Sequence, residues 1–154
     1  MDADIEEIIT EKPYPKVDAS KLSMTIIKLS LSAIFHRRPT IKKLEHKIAD
    51  YDLVIICLPV WANNMAPPLN TFIANWEFEH KNAVIVITTD PKRASEHALY
   101  DVKHKMDARG ATVIHEDSVA VLGVPDEEIA NQARAIALNL KPLVDIGKPI
   151  AASK

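Results

Sequence analysis

The segment Tyr51-Asp-Leu-Val-Ile-Ile-Cys-Leu-Pro-Val-Trp-Ala-Asn-Asn-Met-Ala-Pro-Pro-Leu-Asn-Thr-Phe72 decides the fold. Its first part, Leu53 to Leu58, is a continuous apolar run of the length expected for a parallel strand buried on both faces. A loop that carries Trp61 follows, and Pro67-Pro68 then predicts the first turn of a helix. Ligands of open α/β sheets bind beyond the carboxyl ends of the strands. Trp61 therefore stands where a planar ligand would be held.

Further strands are predicted on both sides of this segment. The apolar run Ala83–Thr89 predicts a second buried parallel strand. Residues 112–115 and 118–122 predict a third strand with a break between its halves. The short, partly alternating run Asp4–Ile9 precedes Pro13-Tyr-Pro15 and predicts a strand near a sheet edge.

Between these predicted strands, apolar residues recur at the spacing of an α-helix. A helix is predicted from Asp18 or Ser20 to Ile34, although the alternation of residues 22, 24 and 26 also permits a strand. Others are predicted around 41–48, over 94–109 and after Pro125, where three acids follow the proline. Strands and helices alternate, so we predict one domain built on a doubly wound parallel sheet. Its core is expected over residues 4–140, with a surface tail at 142–154.

Composition and charge exclude several classes of function. The chain has 154 residues, 47% of them hydrophobic, and a net charge of −2. This charge gives no reason to expect binding to nucleic acid or to an anionic membrane. No apolar run approaches the ~20 residues of a membrane span. The single cysteine, Cys57, fits a reducing cytoplasm and is expected to be an inert thiol in the buried strand.

The loop after Leu58 resembles the third-strand loop of flavodoxins and flavodoxin-like FMN proteins. The matching residues are Pro59, Val60, Trp61, Ala62, Met65, Pro68, Leu69 and Phe72. Asn63 stands where that family usually has glycine, and asparagine tolerates a positive φ better than other residues with a side chain. The resemblance covers roughly Asp4 to Leu140. It implies a flavodoxin-like doubly wound sheet, FMN as cofactor, and electron transfer.

The resemblance also implies which residues contact the flavin. They lie in the loop after the first buried strand and at the end of the second: Pro59, Val60, Trp61, Ala62, Asn63, Asn64, Met65, Thr88, Thr89 and Asp90. Several of them also have a plainer interpretation: a loop residue that covers the end of the sheet for Trp61, turn formation for the two asparagines, core packing for Met65, and a turn cap for Asp90. No catalytic residue and no metal ligand is predicted.

Two departures from the family pattern concern the flavin site. The family's first strand, phosphate loop and first helix have no counterpart, and the three glycines, at 110, 123 and 147, lie far from the N-terminus. Loss of ~4 charge-assisted hydrogen bonds to a phosphate would cost roughly 6–12 kcal/mol. After the second strand, Pro91 removes an N–H donor, and the charge of Asp90 disfavours the negative charge of a reduced flavin.

The missing strand also predicts a partner. In the family the first strand lies between the second and the third. Without it, Asp4–Ile9 must pair directly with Leu53–Leu58, or the vacancy must be filled by another chain, because unpaired edges promote aggregation. We therefore expect either a homodimer or a strand-donating partner.

The leading functional prediction is a cytoplasmic, FMN-dependent electron carrier or oxidoreductase that acts with a redox partner protein. The alternative is a flavin-free module of the same fold that acts through dimerisation or partner binding. A third hypothesis is that Met1 is internal and that the missing strand and loop are encoded upstream.

Overall fold

The computed structural model describes residues 3–15, 24–90 and 95–146, with side chains through residue 143. The elements in chain order are α1 (Met24–Ile34), a 3-10 turn (Ile48–Asp50), β1 (Leu53–Trp61), β2 (Asn64–Met65), α2 (Pro67–Asn75), β3 (Asn82–Thr89), α3 (Glu96–Asp107), β4 (Thr112–Ala120) and α4 (Asp126–Ile146).

The described strands form one sheet in the order β2-β1-β3-β4. β1, β3 and β4 are parallel, and their carboxyl ends therefore meet at one edge of the sheet. The short β2 runs antiparallel to the end of β1. The two central strands are those that the apolar runs predict, so the parallel arrangement is confirmed.

Hydrophobic cores lie on both faces of this sheet. Ala83, Ile85 and Ile87 of β3 point into the larger core, which also contains side chains of α2 and α3. The alternate residues Val84 and Val86 point into a smaller core beneath α4. Because successive strand residues face opposite sides of a sheet, this partition requires helices on both faces. The predicted doubly wound α/β architecture is confirmed.

Helices α1, α2, α3 and α4 lie where the sequence predicts helices; the predicted starts of α1, at Asp18 or Ser20, and of α3, at residue 94, lie outside the described residues. Pro67 and Pro68 open α2, where a missing N–H leaves no intrahelical bond unmade. Ala98, Val102 and Met106 form the buried face of α3. α4 continues to Ile146, so the predicted tail at 142–154 begins inside this helix. Residues 147–154 lie outside the described part of the chain.

Two predicted elements near the N-terminus are wrong. Asp4–Ile9 forms no strand; within residues 3–15 the structure shows one ladder contact, an antiparallel bridge between Thr10 and Ile41. The bridge region also holds the bond from the N–H of Lys42 to the carbonyl of Ile9, at 2.7 Å. Backbone groups used in this way cannot make helical bonds. The apolar residues of segment 41–48 therefore reach the larger core from an extended chain, and only Ile48–Asp50 is helical.

The third predicted strand is continuous. β4 runs from Thr112 to Ala120 without a break. Its irregularity lies earlier, because Ala83 pairs with Val113 whereas Val84 pairs with His115. Ile114 is therefore an extra residue that makes a bulge, and the break predicted between residues 115 and 118 is wrong.

One face of β1 differs from the prediction. Val54, Ile56 and Leu58 contribute to the larger core, but Ile55 is 37% exposed and Cys57 is exposed as well. The prediction that Cys57 is a core thiol is wrong, because Cys57 is exposed and does not belong to the core beneath α4. No helix in the described ranges is long and apolar enough to cross a bilayer.

Candidate functional site

The sequence-predicted site residues meet at the carboxyl edge of the sheet. Pro59 of β1 pairs with Thr88 of β3, and Thr88 pairs in turn with Val119 of β4. This row is the last one shared by all three parallel strands. Trp61 is the last residue of β1, just beyond this row, and Asp90 directly follows the end of β3. The parallel register thus brings the two predicted halves of the site to one edge of the sheet.

A tight hairpin carries the first half of the site. Val60 pairs with Met65, and Trp61 pairs with Asn64, which leaves a two-residue turn of Ala62 and Asn63. Both turn residues have positive φ, 49° and 60°. A turn with two left-handed residues matches the twist of the flanking strands. The Asn63 position is therefore left-handed, as its place in the motif predicts.

Asn64 and Met65 close the hairpin from inside. The Asn64 side-chain amide donates to the carbonyl of Ala62 at 2.7 Å, and Asn64 is only 8% exposed. Met65 is fully buried in the larger core. These contacts fix the shape of the turn and hold Trp61 at its base. The roles of both residues as flavin contacts stay predictions.

The backbone of Ala62 is strained in this turn. A left-handed conformation costs a residue with a side chain about 1–2 kcal/mol. We therefore expect Ala62→Gly to raise the free energy of unfolding by about 0.5–1 kcal/mol, the remainder being lost to the greater backbone freedom of glycine. Urea unfolding measures the change. Ala66→Gly is the matched control, because Ala66 has φ −60° and should only lose stability. A stability loss in both variants would contradict strain at Ala62.

Trp61 has an aromatic neighbour from the N-terminal segment. The ring of Tyr14 meets it edge-on, with 5.2 Å between centroids and an interplanar angle of 77°. Such T-shaped pairs are favourable by about 0.5–1.5 kcal/mol. Burial raises the pKa of the Tyr14 phenol, so the hydroxyl keeps its proton at neutral pH. Sequence reasoning took Pro13-Tyr-Pro15 for a break in the chain and missed Tyr14 as part of the site.

A cavity of about 360 Å³ opens beside the hairpin turn. Its lining combines the turn with the end of α1 and the start of α3: Ile34, His36, Ala62, Asn63, Asn64 and His97. His97 Nδ1 lies 3.2 Å from the carbonyl oxygen of Asn63, and a carbonyl can only accept, so Nδ1 carries a proton. His36 and His97 were not predicted as site residues; neither has a motif around it.

The end of β3 contributes less to this cavity. Thr88, Thr89 and Asp90 are half-buried, and none of the three lines the cavity beside the hairpin. Asp90 makes a contact of its own. Pro91, whose missing N–H entered the sequence argument, lies outside the described residues. The predicted flavin contacts at 88–90 therefore stay predictions.

A protein-family comparison decides the relationship. The family model described as NADPH-dependent FMN reductase matches residues 9–125, more than half of the chain. The chain belongs to the NADPH-dependent FMN reductase family. The match includes the hairpin, the three parallel strands and Tyr14. No curated protein matches the sequence.

Solved structures share the fold of this reductase-family chain. A chain from Bacteroides eggerthii described as a candidate flavoprotein superposes with a TM-score of 0.58 at 20% identity, covering 84% of this chain and 79% of that one. A similar chain from Bacteroides uniformis superposes with a TM-score of 0.60 at 18% sequence identity, covering 83% of this chain and 79% of that one. A flavoprotein from Lactobacillus acidophilus, solved in complex with FMN, gives 0.56 at 18%, covering 82% and 77%. The flavodoxin-like α/β fold is thereby confirmed.

The chemistry of the site fits the ring system of the cofactor that names the family. A flavin ring is planar and aromatic, and Trp61 supplies an aromatic face at the edge of the sheet where such ligands bind. The turn residues Ala62 and Asn63 line the cavity beside the hairpin, whereas Trp61 is not among its lining residues. The role of the hairpin in holding an isoalloxazine stays a prediction.

Proposed function

We propose that the chain binds FMN at the hairpin of residues 59–65 and transfers electrons through it, as an electron carrier or oxidoreductase. The observation that carries the proposal is the position of Trp61. Its hairpin projects from the carboxyl end of β1, beside a cavity of about 360 Å³. Membership in a family described as NADPH-dependent FMN reductases supports the choice of flavin and of NADPH as electron source. A cytoplasmic location fits the single cysteine.

In this proposal the protein positions the cofactor, and the cofactor carries out the reaction. FMN, when bound, supplies the electron-transfer chemistry. Trp61 holds the ring plane, and the left-handed turn of Ala62 and Asn63 keeps the hairpin short enough for close approach. His97 holds the carbonyl of Asn63 in one direction and so fixes the peptide that faces the cavity. The electron acceptor would be a substrate or a redox partner protein.

Direct titration tests FMN binding. The purified protein is examined for near-ultraviolet and visible absorbance and is then titrated with FMN while flavin fluorescence is followed. We expect quenching that saturates, with a dissociation constant below about 100 μM, which corresponds to roughly −5.5 kcal/mol. A colourless protein that causes no quenching at that concentration would overturn the proposal.

A second candidate function is self-association, and β1 favours it. Among the described residues β1 has neighbours on its outer edge only at Val60 and Trp61, where β2 pairs with it. Residues 53–59 present unpaired backbone groups there, next to the exposed Ile55. An edge of this kind is complementary to itself, because two copies related by a two-fold axis can pair as antiparallel strands.

Replacing Ile55 by lysine should prevent this association. A charge on the exposed face would have to be desolvated in the dimer, and lysine on an edge is a known protection against strand pairing. We expect the wild type to be a dimer by light scattering and Ile55→Lys to be a monomer. Ile5→Lys, at a position 93% exposed in the N-terminal segment, should leave the mass unchanged. A wild-type monomer at all concentrations rules out self-association and leaves a strand-donating partner as the remaining expectation.

A further inference from the structure

A second, larger cavity lies against Tyr14, on the side of the N-terminal segment and α1. Its volume is about 840 Å³. We call it the basic groove, and its lining residues are Lys12, Pro13, Tyr14, Ser32, Phe35, Arg37, Arg38 and Pro39. Three of these side chains are cationic and none is acidic. The rest add two aromatic rings, a hydroxyl and two prolines.

The cations of the basic groove have no carboxylate partners within the described ranges. Lys12, Arg37 and Arg38 make no side-chain hydrogen bond or ion pair there. Two lysines of α3, by contrast, are paired with carboxylates: Lys105 binds Asp101 at 2.8 Å, and Lys103 binds Glu116. Three clustered, uncompensated positive charges attract an anion. Arginine in particular presents a planar fork of N–H donors that fits phosphate oxygens.

The arginines are held in place from both sides. His36 contacts Asp101 of α3, with 3.4 Å between Nδ1 and Oδ2. Thr71 of α2 donates its hydroxyl to the carbonyl of Pro39 at 2.6 Å. The backbone N–H of Arg37 donates to the carbonyl of Ser32 at 3.0 Å, which closes the end of α1. The two arginines thus lie on a short, anchored segment, and less conformational entropy is lost when they bind a ligand.

Tyr14 connects the basic groove with the hairpin. Its ring lines the groove and also touches Trp61 edge-on, with 5.2 Å between the ring centroids. The positive charges and the predicted ring-binding residue therefore both lie near one tyrosine. A ligand with a planar ring at one end and a phosphate at the other has this distribution of chemistry.

We propose that the basic groove binds the phosphomonoester of a nucleotide, with the 5′-phosphate of FMN as its expected source. This assignment rests on the proposed function. The groove would hold the phosphate with side-chain cations, whereas a glycine-rich loop would use backbone N–H groups. The same chemistry could come from the 2′-phosphate of NADPH, and the two sources differ in the binding experiment below.

The test compares each phosphorylated ligand with its unphosphorylated counterpart. FMN and riboflavin are titrated by flavin fluorescence, and NADP⁺ and NAD⁺ by calorimetry. Each titration uses the wild type, the double variant Arg37→Gln/Arg38→Gln, and Arg134→Gln as the matched control. Arg134 lies on α4 and bonds Asn131 in its own helix. We expect FMN to bind the wild type at least tenfold more tightly than riboflavin, with an affinity that falls as salt is added. The double variant should lose this preference, and the control should keep it.

The outcomes separate the groove from the hairpin. Equal binding of FMN and riboflavin would overturn the phosphate assignment and leave the flavin site intact. Binding of neither flavin, together with an arginine-dependent preference for NADP⁺ over NAD⁺, would overturn the flavin proposal and assign the groove to the 2′-phosphate. No preference for any phosphorylated ligand would overturn the inference. Circular dichroism of the double variant checks that the fold is retained.

Discussion

Replacing Gly110 by alanine is expected to lower the free energy of unfolding by about 2–5 kcal/mol, the largest effect of any single-methyl addition that the described structure predicts. Two costs add. Gly110 has φ +87°, a conformation that costs residues with a side chain about 1–2 kcal/mol. A Cβ at this position would also lie 2.9 Å from the Cα of Glu79, and overpacking of this kind typically costs about 1–3 kcal/mol.

The close approach at Gly110 has a structural reason. The turn after α2 lies directly on the turn after α3: the N–H of Phe78 donates to the carbonyl of Arg109 at 3.1 Å, and the N–H of His80 donates to that of Gly110 at 3.2 Å. Arg109 adds bonds from its guanidinium to the carbonyls of Ala74 and Trp76, at 2.7 and 3.1 Å. A methyl group would separate these turns, and the fully buried Phe78 would move with them.

Gly123→Ala provides the matched control. Gly123 also has a positive φ, +71°, but an added Cβ would meet no atom within 4 Å. This variant should therefore show only the conformational cost, about 1–2 kcal/mol. Thermal unfolding measures the stability loss of both variants. For a chain of this size, each kcal/mol lost lowers the Tm by roughly 2–4 °C. Equal losses in the two variants would mean that the contact with Glu79 carries no energy.

Replacing Trp61 by leucine is expected to weaken FMN binding by about tenfold to a hundredfold. Stacking of a planar ring on an aromatic side chain is worth about 1–3 kcal/mol where it has been measured for nucleobases, which corresponds to this range. Leucine keeps apolar volume at the base of the hairpin but offers no ring. The measurement is the same fluorescence titration with FMN, carried out on wild type and variant in parallel.

Trp61→Phe separates stacking from stability. Phenylalanine keeps an aromatic ring for the flavin and for the edge contact with Tyr14, so most of the affinity should remain. Both variants are examined by urea unfolding, since loss of the Tyr14 contact alone should cost about 0.5–1.5 kcal/mol. An FMN affinity that is unchanged in Trp61→Leu would move the flavin away from this hairpin.

Local sequence patterns predicted the elements whose neighbours lie within the described sheet. The segments Leu53–Leu58 and Ala83–Thr89 have apolar residues at the positions that face both sides of a sheet. They form the adjacent strands β1 and β3. Pro67-Pro68 fixed a helix start because proline restricts its own φ whatever surrounds it. Asn63 was expected to tolerate a positive φ, and its φ is 60°. In each case the local chemistry and the tertiary structure favour the same conformation.

The wrong predictions have one physical cause: the sequence pattern of a segment does not reveal which parts of the folded chain lie next to that segment. Asp4–Ile9 has the composition of an edge strand, but a strand needs a partner for its backbone groups, and none of the described strands pairs with it. Cys57 has apolar neighbours in sequence, yet it is exposed. Tyr14 and the two cavities arise from contacts between residues far apart in sequence. Neither spacing nor composition encodes these contacts.

The edge-on contact between Tyr14 and Trp61 makes ligand affinity depend on a conformational population. A flat ligand ring that stacks on the face of the Trp61 indole can leave Tyr14 in place. A ligand that must contact the part of the indole now covered by Tyr14 has to displace Tyr14. In the second case the observed dissociation constant equals the intrinsic one divided by the fraction of molecules in which Tyr14 has already moved away. Truncating Tyr14 would then tighten binding at the hairpin while loosening the N-terminal segment. A residue that the sequence presents as a turn between two prolines would thus act as a competitive internal occupant of the site.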